Sequence, residues 1–288
     1  MRHFALAALV MAVAVVFAAG SAAPMTAPTA AAPPEARRLR YEVWWGGLYA
    51  AEFTLSLTET NGESVSETPV TFDNDFALRT RGILDWLMGF GLSAESRGAA
   101  ETRLVPAIYA VEFSDDWGRG RTAIRYRDDD GPEVARFSAK GDGPLQPETD
   151  PPDEAVPPDA TAGTVDPLTA FADSLRPARR LVAAAAEPGA TFTIPVFDGK
   201  RRFDVAGTLH GREQRHIDDS ENDVWRLHLA TRRVGGPKQD RRVVWDETAF
   251  DVFLSADSRL VPLQIAAVGP GPVMTLVERC PQKCVMAE

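Results

Sequence analysis

The sequence is short of several things, and each shortage excludes something. Cysteine occurs only twice in 288 residues, too few to build a scaffold from disulfides. Histidine occurs four times, with no His-Glu-x-x-His and no other pair at the spacing of metal ligands along one element. Basic charge is in deficit. The 31 Lys and Arg face 41 Asp and Glu, a net charge of −10. Nucleic acid or an anionic lipid surface as the main partner would need the opposite balance. No phosphate-binding Gly-Lys-Ser/Thr loop occurs. Gly91-Leu92-Ser93-Ala94-Glu95 departs from a nucleophile elbow at its last position. Gly89 to Ala94 fits a relaxed dinucleotide pattern, but an apolar turn precedes it and a strand follows, the reverse of what that motif needs. No cofactor and no metal site are therefore expected, and no catalytic residue stands out.

One apolar run is present, and it gives an address. Arg2 and His3 precede an unbroken apolar stretch from Phe4 to Ala19, and Gly20-Ser21-Ala22-Ala23 supplies small residues for cleavage. The run is about 16 residues, short of the roughly 20 that span a bilayer. Residues 1–23 thus read as a signal peptide for export to the periplasm, with an uncleaved anchor as the alternative. No cysteine follows the run, so a lipid anchor is not expected, and no later segment is long enough to span a membrane. In an oxidising compartment Cys280 and Cys284 are expected to form a local disulfide.

The rest is a grammar of strands. Residues 24–38 are rich in Ala, Pro and Thr and read as a flexible leader. Leu39, Tyr41, Val43 and Trp45 then alternate with Arg40, Glu42 and Trp44, and Gly46-Gly47 turns the chain into Phe53, Leu55 and Leu57. Asn61-Gly62 is a further hairpin signal. Strands are expected at 69–80, 92–101, 105–114, 120–127 and 133–139, with Asp128-Asp129-Asp130-Gly131 as a turn. Gly82 to Phe90 reads as a short helix or turn plugging the sheet. Residues 141–165 hold six prolines, six acids and no Lys or Arg, and read as a disordered insertion. Asp166-Pro167 caps an amphipathic helix to about Arg176, where Pro177 interrupts it before a second short helix from Ala178 to Ala186. Strands resume through Phe192–Val196, Phe203–Leu209, Trp225–Leu229, 241–246, 248–255, 260–268 and 272–278. One-sided alternation throughout indicates antiparallel sheet with one face covered. Thr102-Arg103-Leu104-Val105-Pro106 and Ser258-Arg259-Leu260-Val261-Pro262 echo each other, through two related halves or through the same strand-opening chemistry used twice.

Function is less legible. His210 and His216 flank what reads as a polar loop, and His228 lies on the polar side of its strand. Six tryptophans in a sheet-rich chain are ordinary core, or the lining of a concave apolar cavity closed by a helix. Trp44, Trp86, Phe90 and Trp225 are the expected lining.

Several segments occur in a familiar order: Tyr41-Glu42-Val43-Trp44-Trp45-Gly46-Gly47, Thr80-Arg81-Gly82-Ile83-Leu84, Leu104-Val105-Pro106, Asp166-Pro167-Leu168, Ile194-Pro195-Val196-Phe197-Asp198-Gly199-Lys200-Arg201 and Leu260-Val261-Pro262. Together they resemble a bacterial exported family catalogued as domain of unknown function 3108, over roughly residues 39–280. The resemblance implies a periplasmic all-β protein and carries no catalytic residues. In fold logic it is more distantly similar to outer-membrane lipoprotein carriers. The expectation is an all-β fold, a large curved antiparallel sheet forming an open or half β-barrel, with short helices at 83–90 and 167–186 plugging or flanking it. Its two halves, 39–140 and 166–280, make one domain, followed by a tail at 281–288. The expected role is a periplasmic, non-enzymatic binding protein for a lipid or acyl chain. An envelope interaction protein with a packed core, or a carboxylate-dependent envelope hydrolase, is the alternative.

Overall fold

Alternating side chains become strands wherever one face finds apolar cover. The computed structural model describes residues 37–60, 70–127, 131–148, 155–237 and 248–281, with Cys284 and Met286. The signal peptide, most of the leader, Asn61-Gly62, Asp128–Asp130, the centre of the acidic insertion and the strand expected at 241–246 (with Trp245) lie outside the described residues.

The first half runs β1 (Arg37–Trp45), β2 (Leu48–Thr60), β3 (Thr71–Thr80), α1 (Gly82–Met88), β4 (Gly91–Ala100), β5 (Leu104–Asp115), β6 (Gly118–Arg125), β7 (Glu133–Lys140) and β8 (Gln146–Pro147). After α2 (Pro158–Thr161) and α3 (Pro167–Ala183) come β9 (Ala190–Phe197), β10 (Arg202–Ile217), β11 (Ser220–Gly235), β12 (Ala249–Ser255), β13 (Pro262–Ala267) and β14 (Val273–Arg279). Thirteen of these strands form one sheet in the order β10-β11-β12-β13-β14-β1-β2-β3-β4-β5-β6-β7-β8. Every described ladder pairs antiparallel, and β1 zips the two halves together through β14, with Val43 opposite Met274. The fold is all-β, a curved antiparallel sheet that is barrel-like and not closed by a ladder among the described residues.

Side chains bridge the gap instead. β9 lies against β10, and its end reaches β6 and β7. The Tyr126 hydroxyl donates to the Phe197 carbonyl at 3.4 Å, and Arg136 donates to the Gly199 carbonyl at 3.4 Å. Gly199 has φ +91°, and a Cβ there would stand 2.7 Å from Thr122. Only glycine fits both the turn and the approach.

The interior is filled by α3. Asp166 caps it, accepting the Thr169 N–H at 2.8 Å. Leu168, Phe171, Ala172, Leu175 and Ala178 then pack into one cluster with Tyr41, Phe53, Phe76 and Leu227 of the sheet. Each large side chain so buried contributes about 1.5–3 kcal/mol. Pro177 does not end this helix, contrary to expectation: one helix runs to Ala183. An interior proline costs about 3 kcal/mol, but Ala178 beside it is fully buried, and packing overrides local propensity.

Three further expectations change. α1 flanks the sheet instead of plugging it, because Ile83, Trp86 and Leu87 face solvent. The acidic insertion joins the fold at both ends: Gln146 and Pro147 pair with β7, and Val165 bridges Val196 in parallel. His210 and His216 lie within β10, since the β10–β11 ladder continues to Ile217 opposite Ser220. That stretch is polar on both sides, so no alternation marked it as strand. Cys280 and Cys284 are joined by a disulfide, and no helix among the described residues is long and apolar enough to cross a membrane.

Candidate functional site at one rim of the sheet

Ladder register sorts the turns onto two rims. Trp45 opposite Leu48, Arg79 opposite Gly91, Asp115 opposite Gly118 and Trp44 opposite Val273 put the β1–β2 turn, α1, the β5–β6 turn and the β13–β14 turn on one rim. Among the described residues eleven large apolar side chains are exposed, and all but Ile108 and Val277 stand on this rim. Three are tryptophans: Trp44, Trp86 and Trp117, exposed by 41, 82 and 45 %. Leu48, Ile83, Leu87 and Phe113 stand among them. An apolar cluster of this kind marks a contact surface, whereas single exposed residues do not.

Local chemistry holds this rim in place. The Arg81 N–H donates to the Ala50 carbonyl at 2.9 Å, fixing the start of α1 to β2. The Thr80 hydroxyl donates to Asp85 at 3.0 Å and bonds the Phe90 carbonyl at 3.1 Å, tying both ends of α1 together. Beneath lies Glu52, which is almost fully buried. It pairs with Arg81, lies 3.8 Å from Arg40 and accepts the Tyr49 hydroxyl at 3.4 Å. Such a buried charge is tolerated only when paired. At the other end Gly89 (φ +47°) closes α1, its N–H donating to Asp85 at 2.8 Å. A Cβ there would lie 2.8 Å from the Asp116 carboxylate, so the helix abuts the β5–β6 turn. Asp115 builds that turn by accepting the N–H groups of Trp117 and Gly118, each at 2.8 Å. The Trp44 indole donates to Glu42 at 3.3 Å. The apolar groups are thus rigidly presented and bordered by Glu42, Asp85, Asp115 and Asp116.

The four aromatics expected to line a hollow do not meet in one. Trp44 and Trp86 stand outside on this rim, and Phe90 is half-buried where α1 meets β4. Trp225 packs on the core from β11, four strands from β1, with Arg212 5.9 Å above its ring. The expected cavity is occupied by α3. Open troughs of mixed polar and apolar lining lie instead on the outer face of the sheet around β2–β5, Phe90 lining one of them. One of them, about 730 Å³, is lined by Ser56, Thr58, Phe72, Asp73, Asp75 and Arg97 among others.

Buried carboxyls are engaged in structure. Burial raises Asp166 above the ordinary carboxylate range, against the lowering effect of hydrogen bonds from Thr169 and Ser96. Burial likewise raises Asp173, which accepts the Leu104 N–H at 2.9 Å. One polar cluster lies on the outer face of the other half of the sheet. His228 Nδ1 is 2.9 Å from Asp251 Oδ1, Arg226 donates to Oδ2 at 2.8 Å, and the His210 ring stands edge-on to His228 at 5.8 Å. Burial alone would raise Asp251, but the bonds from His228 and Arg226 prevail and hold it below the usual range.

Sequence reasoning missed Leu48, Ile83, Leu87, Phe113 and Trp117 as surface residues. The available signal was their position: Leu48 and Trp117 adjoin turn glycines, where no strand partner can cover them. The histidine cluster left no signal, because His228 and Asp251 are 23 positions apart.

The family described as "Protein of unknown function (DUF3108)" matches residues 40–277. Among solved structures the chain is similar to a β-barrel-like protein of domain of unknown function DUF1849 from Brucella abortus. The two share 10 % identity with a TM-score of 0.47, over 87 % of this chain and 99 % of that one. No curated protein matches.

Proposed function

From the premise that this chain belongs to the DUF3108 family of proteins of unknown function, we propose that it is an exported, non-enzymatic binding protein of the periplasm. Its ligand is a lipid or acyl chain, engaged by the apolar rim and not enclosed in the interior. The observation that carries this reading is the gathering of Trp44, Trp86 and Trp117 with Leu48, Ile83 and Leu87 on one rim. Tryptophan suits the boundary between acyl chains and headgroups, where an apolar ring and a polar N–H are both satisfied. The acidic border and the charge of −10 favour a neutral or zwitterionic headgroup over an anionic one. The signal-like residues 1–23 support the address.

The test uses protein recovered from the periplasm. Recovery with residues 1–23 still attached overturns the address. Mixed with phosphatidylcholine or phosphatidylethanolamine vesicles, the protein is expected to co-sediment, with a blue shift of tryptophan emission. Trp86→Ser combined with Ile83→Ser is expected to abolish both signals while leaving the circular dichroism unchanged. Full binding by that variant, or no binding by the parent, overturns the reading. In the second case the filled interior favours an envelope interaction protein that docks a polypeptide on the same rim.

A further inference from the structure

His210 and His228 carry a role that the rim does not use. We propose that they form a two-histidine site for a divalent transition-metal ion, with Cu(II) preferred, on the outer face of β10 and β11. His228 lies opposite Thr208 in the ladder. The register then shifts between Leu209 and Gly211, so His210 is the extra residue of a bulge, and Gly211 takes φ +103°. Bulges re-aim side chains, and here the result is two imidazoles on one face, 5.8 Å apart at 79°. Metal–nitrogen bonds of about 2.0–2.1 Å put the centres of two rings on one ion roughly 4.5 Å apart at the right angle of a tetragonal Cu(II) site, and roughly 5 Å apart at a tetrahedral angle. The observed 5.8 Å leaves roughly 1 Å for the two side chains to close on binding the ion.

Asp251 prepares His228 for this role. A carboxylate only accepts hydrogen bonds, so His228 Nδ1, at 2.9 Å, is the protonated nitrogen, and the lone pair sits on Nε2. A carboxylate behind a ligating imidazole is the usual outer-shell arrangement of metal-bound histidine, fixing tautomer and orientation. Arg226 takes the other oxygen of Asp251 at 2.8 Å, which keeps that carboxylate behind the ring and out of the coordination sphere. No group of three or more His, Cys, Asp or Glu among the described residues converges to hold a metal. The ion would therefore keep water in its remaining positions. Imidazole donors and the order of divalent affinities both put Cu(II) first.

The experiment uses untagged protein recovered from the periplasm. Titration with Cu(II) against a glycine competitor, read by electron paramagnetic resonance, is expected to show one equivalent with nitrogen superhyperfine structure. His210→Gln and His228→Gln are each expected to weaken binding at least about tenfold, and Asp251→Asn by about 10–100-fold. His216→Gln, at the hairpin tip beside Glu221, is expected to change nothing. Unfolding midpoints of the metal-free variants serve as the folding control. The site is overturned if the His210 and His228 variants bind Cu(II) as tightly as their parent, or if the parent's spectrum shows no nitrogen ligands.

Discussion

The two rims of the sheet are made by the same ladders and end in opposite chemistry. The far rim carries Glu101-Thr102-Arg103, Asp218-Asp219 and Asp257-Ser258-Arg259, and the exposed large apolar side chains nearest it among the described residues are Ile108 and Val277. Its charges fasten the plug: Arg176 of α3 bonds Glu59 at 2.7 Å and the Glu101 carbonyl at 2.8 Å. Arg37 donates to the Leu260 carbonyl at 3.3 Å. The near rim holds no end of α3 and instead presents tryptophans and leucines to water. The difference teaches that polar turns serve the fold at the far rim, whereas the near-rim turns anchor through Trp45, Leu84 and Phe90 and leave Trp44, Ile83, Trp86, Leu87 and Trp117 exposed. Apolar surface kept exposed without an internal use is the sign of an external one.

That contrast can be broken in steps, starting from the core. Phe171→Ala removes the largest side chain of the plug and is expected to cost about 3–5 kcal/mol in urea unfolding. Trp86→Ser, on the near rim, is expected to stay within about 0.5 kcal/mol. Equal costs would mean that α1 is part of the core. Glu52→Gln comes next. It removes the buried charge that pairs with Arg81 and is expected to cost about 3 kcal/mol. It also loosens the start of α1, so vesicle binding should weaken while the far rim keeps its hydrogen-exchange protection. A variant that loses stability and keeps full vesicle binding would separate α1 from the apolar site.

The smallest step is a pH dependence. Asp166 is raised in the folded state by burial, so folding favours its protonated form more than the unfolded chain does. Its contribution is fully present below the unfolded carboxyl value of about 3.9 and is lost as pH rises through the higher folded value. Asp166→Asn keeps a capping acceptor for Thr169 and carries no charge. Urea midpoints are expected to rise for this variant relative to the parent between pH 4 and neutrality. A constant difference across that range would show that the carboxyl titrates alike in both states.

Much of the fold was legible because its signals are local. Tyr41, Phe53, Leu55 and Leu57 announce their inward face by period two, and all four are buried. Asp166-Pro167 announces a helix start, and α3 begins there. The continuation of that helix past Pro177 was illegible, because burial of Ala178 by the sheet decided it. The polar ladder from His210 to Ile217 was illegible for the converse reason: neither face is apolar, so periodicity carries no signal. The candidate site was legible only in part. Trp44 and Trp86 stood out as residue types, but as lining for a hollow that α3 occupies. Whether a tryptophan faces a core or water depends on what lies across from it.

Alternation, turn residues and the capped helix determined from sequence alone that this chain makes a one-faced, curved antiparallel sheet with a helix between its two halves. They act between near neighbours along the chain. Tertiary structure alone decided that the helix fills the concave side, that the tryptophans crowd onto one rim, and that His210 comes to stand beside His228. Each of these depends on contacts between segments far apart in sequence, whose free energy no local pattern records.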